Sequence, residues 1–416
     1  MPAYSTLGRW PASRCIGGPR PKSRAIPARP CPSHGDPPPQ PFDGGVPRGA
    51  RRSAATAAAT SAIVGARDVP ASRKPSEGIP ALFDRRCDVS AANPPFRGKF
   101  LVVYNPIAGR RNLRRLKDAI AFLTAAGAAV EVYETKGAGD GAKQIRRSAR
   151  RIATPGNYSA IVSAGGDGTV NEVVNGLMAL REGQNSVLPP LGILPLGTTN
   201  VLAKELGLPE SAEEAAWTLL SGTCTDIRVG LANCRFFTVM VGVGLDARVV
   251  QDVHQGLKRR IGKAAYAAEV VRQIARFGNH SFRLHIPGEM LDFRNAASVV
   301  VANGRYYAGK FSCAPEARVE EANLHVCIFE HGGCLNAARY LYGLGTGRLA
   351  RMSGYHVVRA ESLTIEGPEQ EPVQADGDII GRLPVRLSIA RQALPVLVGR
   401  SRQIPPGPPV CPSASA

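Results

Sequence analysis

The sequence predicts an α/β domain followed by a mostly β domain, with a long tail in front of them. From Phe100 onward, strand-like and helix-like segments alternate, which is typical of a parallel sheet covered by helices. After about Gly230 the chain changes to many short strand-like runs, which predict a β-rich second domain. The first 82 residues hold fifteen of the 34 prolines and predict disorder. We therefore expect a disordered tail at 1–97, an α/β domain at 98–231, a β domain at 232–402 and a second disordered tail at 403–416.

Short apolar runs mark the strands of the first domain, and apolar residues at helical spacing mark the helices between them. Strands are predicted at 100–104, 129–133, 158–162 and 191–194. Helices are predicted at 113–123, 142–152 and 170–177. A capping box formed by Ser211 and Glu214 opens a further helix that runs to Leu220.

Three loops that contain glycine follow three of these strands, at 105–110, 165–169 and 196–200. In open α/β sheets, ligands bind beyond the carboxyl ends of the strands. The three loops can therefore converge on one crevice.

The most informative of them lies in SAGGDGTVNEVVNGL at 163–177. Gly165, Gly166 and Gly168 lie at a strand-to-helix turn, where missing Cβ atoms let backbone amides approach a polyphosphate and the helix dipole favours its charge. A carboxylate repels phosphate unless a cation lies between them, so Asp167 indicates magnesium coordination or proton handling. The alternative is an ordinary glycine turn with an aspartate helix cap.

The second domain is predicted to contain many short strands and two helical inserts. The clearest strands are at 236–241, 282–286, 298–301, 324–329 and 385–389, and the helices are at 247–277 and 335–349. Gly242, Gly244 and Ala247 imitate a dinucleotide fingerprint, but a long basic helix follows where a second strand ending in an acidic residue should lie. The context therefore argues against a nicotinamide site.

Asp376-Gly377-Asp378 forms a turn near the end of the second domain. A plain hairpin turn is one interpretation. The other is a segment that folds back to bring a carboxylate to the crevice, as a base and metal ligand. The sequence alone leaves both open.

The chain is strongly basic, with a formal net charge of +19, and favours anionic partners. Clusters at 110–115 and 258–263 lack the interleaved aromatic residues of single-strand binders, so we expect no nucleic acid partner. An anionic membrane surface or nucleotide phosphates fit the clusters better. No run approaches the length needed to cross a bilayer, so membrane contact is expected to be peripheral. The basic, acid-poor N-terminal tail leaves organellar import open.

These loops together resemble the diacylglycerol kinase catalytic-domain family, in particular the soluble bacterial lipid kinases that include relatives of sphingosine kinase. The resemblance covers about residues 98–400. Its matching stretches are NPIAG at 105–109, SAGGDGTVNEVVNGL at 163–177, LGILPLGTTNVLAKELGLP at 191–209, VGVGLDARVV at 241–250, LKRRIGKAAY at 257–266 and ANGRYYAGKFSCAPEA at 302–317.

The resemblance implies an α/β nucleotide domain like those of NAD kinases and phosphofructokinases, and a β sandwich-like lipid domain. It implies Mg²⁺ as cofactor and ATP as co-substrate. The residues expected around ATP are Asn105, Gly109, Thr135, Gly165, Gly166, Gly168, Thr169, Asn171, Glu172, Gly197, Thr198, Thr199 and Asn200.

The expected catalytic acids are Asp376 and Asp378, with Asp167 as a further catalytic residue and metal ligand. The family has D-G-E where this chain has D-G-D, so which of the late pair acts as base is open. A structural metal site of some members corresponds to Glu320-Glu321-Ala322, so Glu321 is a candidate ligand whose site is in doubt because the chain departs from the family's D-D-G.

The leading hypothesis is transfer of the γ-phosphate of ATP to the hydroxyl of a membrane lipid, diacylglycerol-like or sphingoid, by a cytoplasmic protein peripherally associated with the membrane. A homodimer is left open. One alternative is a kinase of a soluble hydroxyl, such as NAD. The other is a nucleotide- or lipid-binding regulator without catalysis, suggested by the departures at Asp378 and at Glu321-Ala322.

Overall fold

The computed structural model describes residues 98–106, 110–184, 187–257, 281–287, 293–307, 309 and 311–399. Both predicted tails, Gly109, the basic cluster at 258–263 and the second part of the helix predicted at 247–277 lie outside the described residues.

The first half of the described chain alternates strands and helices as predicted. In chain order its elements are β1 (Lys99–Tyr104), α1 (Arg110–Ala125), β2 (Ala129–Glu134), α2 (Asp140–Arg147), α3 (Ala149–Ala153), β3 (Ala160–Gly165), α4 (Asp167–Gln184), β4 (Leu191–Pro195), α5 (Val201–Glu205), α6 (Ala212–Ser221) and β5 (Thr223–Ile227).

The second half is mostly strands. Its first elements are β6 (Gly230–Ala232), β7 (Arg235–Phe237), β8 (Met240–Val243), α7 (Leu245–Leu257), β9 (Phe282–His285), β10 (Phe293–Ala296), β11 (Ser298–Ala302), β12 (Tyr306–Tyr307) and β13 (Phe311–Ser312). They are followed by β14 (Leu324–Phe329), α8 (Cys334–Thr346), a 3-10 helix (Leu349–Arg351), β15 (Tyr355–Ala360), β16 (Ser362–Glu366), β17 (Pro372–Ala375), β18 (Asp378–Arg382), β19 (Val385–Ile389) and β20 (Leu394–Val398).

The first sheet has the strand order β2-β1-β3-β4-β20-β5. Its first five strands are parallel, and β5 runs antiparallel to β20. Helices cover both faces, which is why β1 reads as a continuous apolar run: Phe100 and Val102 pack toward α1 and α6, while Leu101 and Val103 pack toward α2 and α4. The predicted α/β class is confirmed. The strand β20 comes from the far end of the chain, after every strand of the second domain.

Two antiparallel sheets form a sandwich in the second domain, which confirms that prediction. Their orders are β10-β9-β16-β19-β6-β7 and β15-β14-β11-β8-β17-β18. The strand β11 shows the layering, because Val299 and Val301 enter the core between the sheets. Val300 and Ala302 point to the opposite face and pack in a cluster with Tyr340 of α8 and Leu349.

The glycine segment differs from the prediction in one respect. Pairing of β3 with β4 continues to Gly165, which lies opposite Pro195, and α4 already begins at Asp167. Only Gly166 therefore lies between strand and helix. Asp167, Gly168 and Thr169 were expected in a loop but occupy the first turn of an 18-residue helix.

Candidate functional site

The ends of β3 and β4 bring two of the predicted loops into direct contact. The amides of Leu196 and Gly197 donate to Gly165 O over 2.9 and 3.1 Å. A Cβ on Gly197 would overlap the Gly166 Cα and lie 2.7 Å from Asn200 Oδ1. Glycine is required at 197 because the overlapping atom belongs to the backbone of Gly166, which cannot move aside as a flexible side chain can.

Asp167 opens α4 directly beside this contact. Its Oδ1 accepts a hydrogen bond from the amide of Val201 over 2.6 Å, so the carboxylate joins the start of α4 to the start of α5. Burial raises the pKa of Asp167, and the negative charge of Asp376 raises it further. A carboxylate with a raised pKa and a neighbouring negative charge is a frequent feature of acid–base sites.

Gly168 and Thr169 complete the first turn of α4. Thr169 is buried beneath Gly165, whereas a Cβ on Gly168 would meet nothing within 4 Å. Packing within the protein therefore explains the lack of a side chain at Gly165 but not at Gly168. Close approach of a ligand, such as a phosphate group, to the helix end would explain the glycine at 168.

Asn105 and Thr135 follow β1 and β2 at the same edge of the sheet. Their amides donate to Ala164 O and Tyr104 O over 3.3 and 2.8 Å. The structure thus brings both predicted residues to the carboxyl ends of the strands, next to Gly165 and Gly166 in the adjoining strand and loop.

Glu172 faces a different neighbour from the one that its position in the motif suggests. Its two carboxylate oxygens accept the amides of Gly139 and Gly141 over 2.6 and 2.8 Å. Glu172 therefore holds the first turn of α2 against α4. A direct contact with nucleotide stays a prediction for this residue.

The loop after β4 presents two exposed hydroxyls, on Thr198 and Thr199. Asn200 behind them has a left-handed backbone with φ +48° and donates from Nδ2 to Gly197 O over 2.9 Å. This hydrogen bond keeps the loop tightly turned. The hydroxyls are consequently free to meet a ligand on the outer side.

The late D-G-D triplet is both a hairpin turn and part of this crevice. Asp376 and Gly377 connect β17 to β18 and have φ values of +47° and +89°, as a two-residue hairpin turn of type I′ requires. The carboxylate of Asp376 accepts five hydrogen bonds of 2.6 to 3.0 Å. The donors are the amides of Thr238, Val239 and Met240, the Thr238 hydroxyl and Asn171 Nδ2.

Asp378 is the more open of the two late acids. Its side chain is 43% exposed and lies 3.3 Å from Arg235 Nη2, which also donates to Asn171 Oδ1 over 3.2 Å. Asp376 and Asp378 therefore face different partners, although only one residue separates them.

Sequence reasoning missed three residues of this network: Asn175, Arg235 and Thr238. Asn175 exchanges two hydrogen bonds with the backbone of Phe236, of 2.9 and 3.0 Å, and so joins α4 to β7. Its position one turn after Asn171 on the same helix face was an available signal. Arg235 and Thr238 lie in short segments whose sequence carries no such signal.

A cavity of about 510 Å³ begins at the carboxylates of Asp167 and Asp376 and extends into the second domain. Polar groups in its walls come from Asp167, Thr199, Thr238, Asp376 and the half-buried Asp246. Most of the other walls are apolar and come from α4, α5, the segment before β8, α7, β11, β14 and α8. They include Val170, Val201, Val239, Val249, Val250, Val300, Phe329, Leu341 and Leu344. The space has the size and apolar lining of a ligand pocket.

Among the described residues that line the cavity, Asp246 is the carboxylate placed along the apolar walls rather than beside the glycine loop. Tyr307 donates its hydroxyl to Asp246 Oδ1 over 2.5 Å, and Gln374 Nε2 donates to Oδ2. Burial raises the pKa of Asp246. Both oxygens are thus held in place within the cavity wall.

Glu321, the remaining metal candidate, lies just before β14 and is not among the residues that line the cavity. Its charge acts on the buried His325. Across the described residues, no group of three or more His, Cys, Asp or Glu side chains is placed to hold a metal ion. In the same part of the chain, no helix is long and apolar enough to cross a membrane.

Two family models match the chain in succession. The diacylglycerol kinase catalytic domain matches residues 99–232, and the YegS C-terminal NAD kinase beta sandwich-like domain matches residues 239–398. A diacylglycerol kinase of Staphylococcus carnosus is 24% identical over 72% of this chain and 95% of its own length. A diacylglycerol kinase of Bacillus subtilis is 27% identical over 68% of this chain and 90% of its own length.

A crystal structure of a diacylglycerol kinase from Bacillus anthracis has the same fold, with a TM-score of 0.57 at 24% identity, covering 74% of this chain and 99% of the other. The two family matches span both described domains, and the relatives match over nearly their whole length. The chain therefore belongs to the diacylglycerol kinase catalytic-domain family and is a lipid kinase.

Proposed function

We propose that the protein transfers the γ-phosphate of ATP to the hydroxyl of a diacylglycerol-like lipid. The observation that carries this proposal is the cavity, which is apolar along most of its length and ends at Asp167 and Asp376 beside the glycine loop. An acyl chain suits the apolar walls, and a hydroxyl at its end would lie at the carboxylates. The names of the matched relatives support diacylglycerol as the first lipid to test.

ATP would lie along the carboxyl ends of β1, β3 and β4, with its phosphates on the first turn of α4. The helix dipole and the amides around Gly166 and Gly168 favour negative charge there. The open space at Gly168 supports this placement. Thr198 and Thr199 would supply hydroxyl donors from the neighbouring loop.

Asp167 is the carboxylate that we assign to the lipid hydroxyl. It lines the cavity and has a raised pKa, which makes it a better base than an ordinary aspartate. Asp376 also lines the cavity, but five donors already occupy its oxygens. We therefore assign Asp376 to positioning the loop and to raising the pKa of Asp167.

In the reaction, the lipid oxygen forms a bond to the γ-phosphorus as the bond to the β–γ bridging oxygen breaks, and ADP leaves. The hydroxyl proton passes to Asp167. Mg²⁺ bound with ATP would offset the phosphate charge, with most ligands supplied by phosphate and water. Asp167 fits that arrangement, because it presents a carboxylate, an oxygen ligand of the kind Mg²⁺ takes, at the end of the cavity. Asp167 would reach the ion through water.

The test is transfer of labelled phosphate from ATP to diacylglycerol in vesicles, with NAD as a competing soluble acceptor. We expect a lipid product and no labelled NAD phosphate, and we expect Asp167→Asn to lower kcat by about 10² to 10⁴ while the protein stays folded. Label on NAD, or ATP binding without any lipid product, would overturn the proposal. Near-normal turnover by Asp167→Asn would overturn only the role of Asp167.

A further inference from the structure

The helix α8 is apolar on two faces, of which one lines the cavity. Ala337, Tyr340 and Leu344 follow one another at helical spacing and belong to the cavity walls. On the other side, Leu335 and Tyr342 are 86% and 61% exposed. An apolar face left on the surface of a helix is typical of a contact with another molecule or a membrane.

Leu341 connects the two faces. It lines the cavity and is nevertheless 44% exposed. The helix is therefore a thin wall between the cavity and the outside, and Leu341 lies at its margin. A lipid that enters beside α8 would pass directly from the exposed apolar face into the cavity.

The chain segment that carries α8 has arginines but no acidic residues. Residues 331–360 contain no aspartate or glutamate, whereas arginines occur at 339, 348, 351 and 359. Arg348 and Arg351 are exposed, and neither lies within ion-pairing distance of a described carboxylate. They stand just beyond the C-terminal end of α8, where they would meet anionic lipid headgroups.

We infer that the outer face of α8 docks on the surface of an anionic bilayer, with Leu335 and Tyr342 in the interface and Arg348 and Arg351 against the headgroups. Apolar side chains beside cations are typical of helices that lie in the membrane interface. A bilayer suits this surface better than a protein partner because the inner face of the same helix bounds the proposed lipid cavity. The inference rests on the proposed function for that reason.

The experiment measures binding of the full chain to vesicles by sedimentation, without ATP, so that no turnover is needed. Vesicles of phosphatidylcholine alone are compared with vesicles that also contain phosphatidylglycerol. The double variant Leu335→Gln/Tyr342→Gln should reduce binding to both by about tenfold or more, since it removes apolar surface from the interface. Arg348→Gln/Arg351→Gln should reduce binding mainly to the anionic vesicles. Val187→Gln is the control, because Val187 is 91% exposed in the first domain.

A second measurement uses a short-chain diacylglycerol that is dispersed without vesicles. Both double variants should phosphorylate it at the wild-type rate, because none of their four residues lines the cavity. Vesicle binding equal to wild type in the Leu335/Tyr342 variant would overturn the docking surface even if kinase activity is present. Conversely, α8-dependent vesicle binding without any lipid product would leave the surface standing and overturn the proposed function. If the wild type does not bind vesicles but self-associates through Leu335 and Tyr342, the outer face of α8 contacts a second copy of the chain and the inference is wrong.

Discussion

Asn171 donates from Nδ2 to Asp376 Oδ2 over 2.9 Å, and this hydrogen bond joins residues 205 positions apart. Asn171 lies on the helix that follows the glycine loop, whereas Asp376 lies in the last hairpin of the second domain. The hydrogen bond therefore ties the proposed nucleotide-binding helix to the last hairpin of the second domain, at the end of the cavity where Asp167 and Asp376 lie. Its loss should alter both stability and the geometry of the carboxylates.

Asp376→Asn is expected to lower the free energy of unfolding by about 3 kcal/mol, because an amide cannot accept from all five donors of this half-buried carboxylate. Asp378→Asn is the matched variant and should change the same quantity by less than about 1 kcal/mol, because its ion pair with Arg235 is exposed. Urea unfolding followed by circular dichroism measures both. Equal losses in the two variants would show that the five hydrogen bonds do not set the stability of the hairpin.

Two glycine substitutions separate packing from ligand contact. Gly168→Ala should keep or slightly raise stability, since it adds a good helix former in open space, yet weaken ATP binding if phosphates approach the helix end there. Gly197→Ala should lower stability, because its Cβ would overlap the backbone of Gly166. Thermal unfolding and ATP titration calorimetry give the two quantities. Unchanged ATP affinity in Gly168→Ala would show that the phosphates do not bind at this turn.

Val250→Phe should fill part of the cavity and shorten the space available to an acyl chain. Val250 lies on α7 and lines the wall. We expect kcat/KM for a long-chain diacylglycerol to fall by about tenfold or more, as expected from one poorly accommodated apolar group, with a smaller change for a short-chain one. The affinity for ATP should stay at the wild-type value, and Val187→Phe on the surface is the control. A uniform loss for both chain lengths would argue that the chain does not occupy this part of the cavity.

A pH dependence of stability follows from Glu131 on β2. Its carboxylate accepts hydrogen bonds from Arg151 and Tyr158 and pairs with Lys99, and these partners lower its pKa from 4.5 to about 2. Because the folded-state pKa is lowered, the stabilisation is present above pH 4.5 and is lost as the pH falls toward 2.

Glu131→Gln should therefore be less stable than wild type near pH 6 and approach it near pH 3. The group is partly exposed, so screening by solvent should limit the difference at pH 6 to about 1 to 2 kcal/mol. Urea unfolding at the two pH values measures it. A difference that grows as the pH falls would contradict the assigned sign.

The local sequence predicted the strands and helices of the first domain well, because buried parallel strands are apolar along their whole length and the helices show clear periodicity. It also predicted that the loops after β1, β3 and β4 would meet. It missed the start of α4, since nothing in GGDGT shows that β3 would pair as far as Gly165 and leave a single residue before the helix. The hydrogen bonds of Asp376 could not be predicted, because all five donors lie more than 130 residues away in the chain.

The strand β20 pairs with β4 on one side and β5 on the other. A ribosome makes the chain from its N-terminus, so β5 leaves the exit tunnel long before the strand that must sit between it and β4. The first sheet therefore closes only after the whole sandwich has been synthesised. During translation the edge of β4 stays unpaired until β20 has been made. The two domains should therefore fold together as one cooperative unit rather than one after the other.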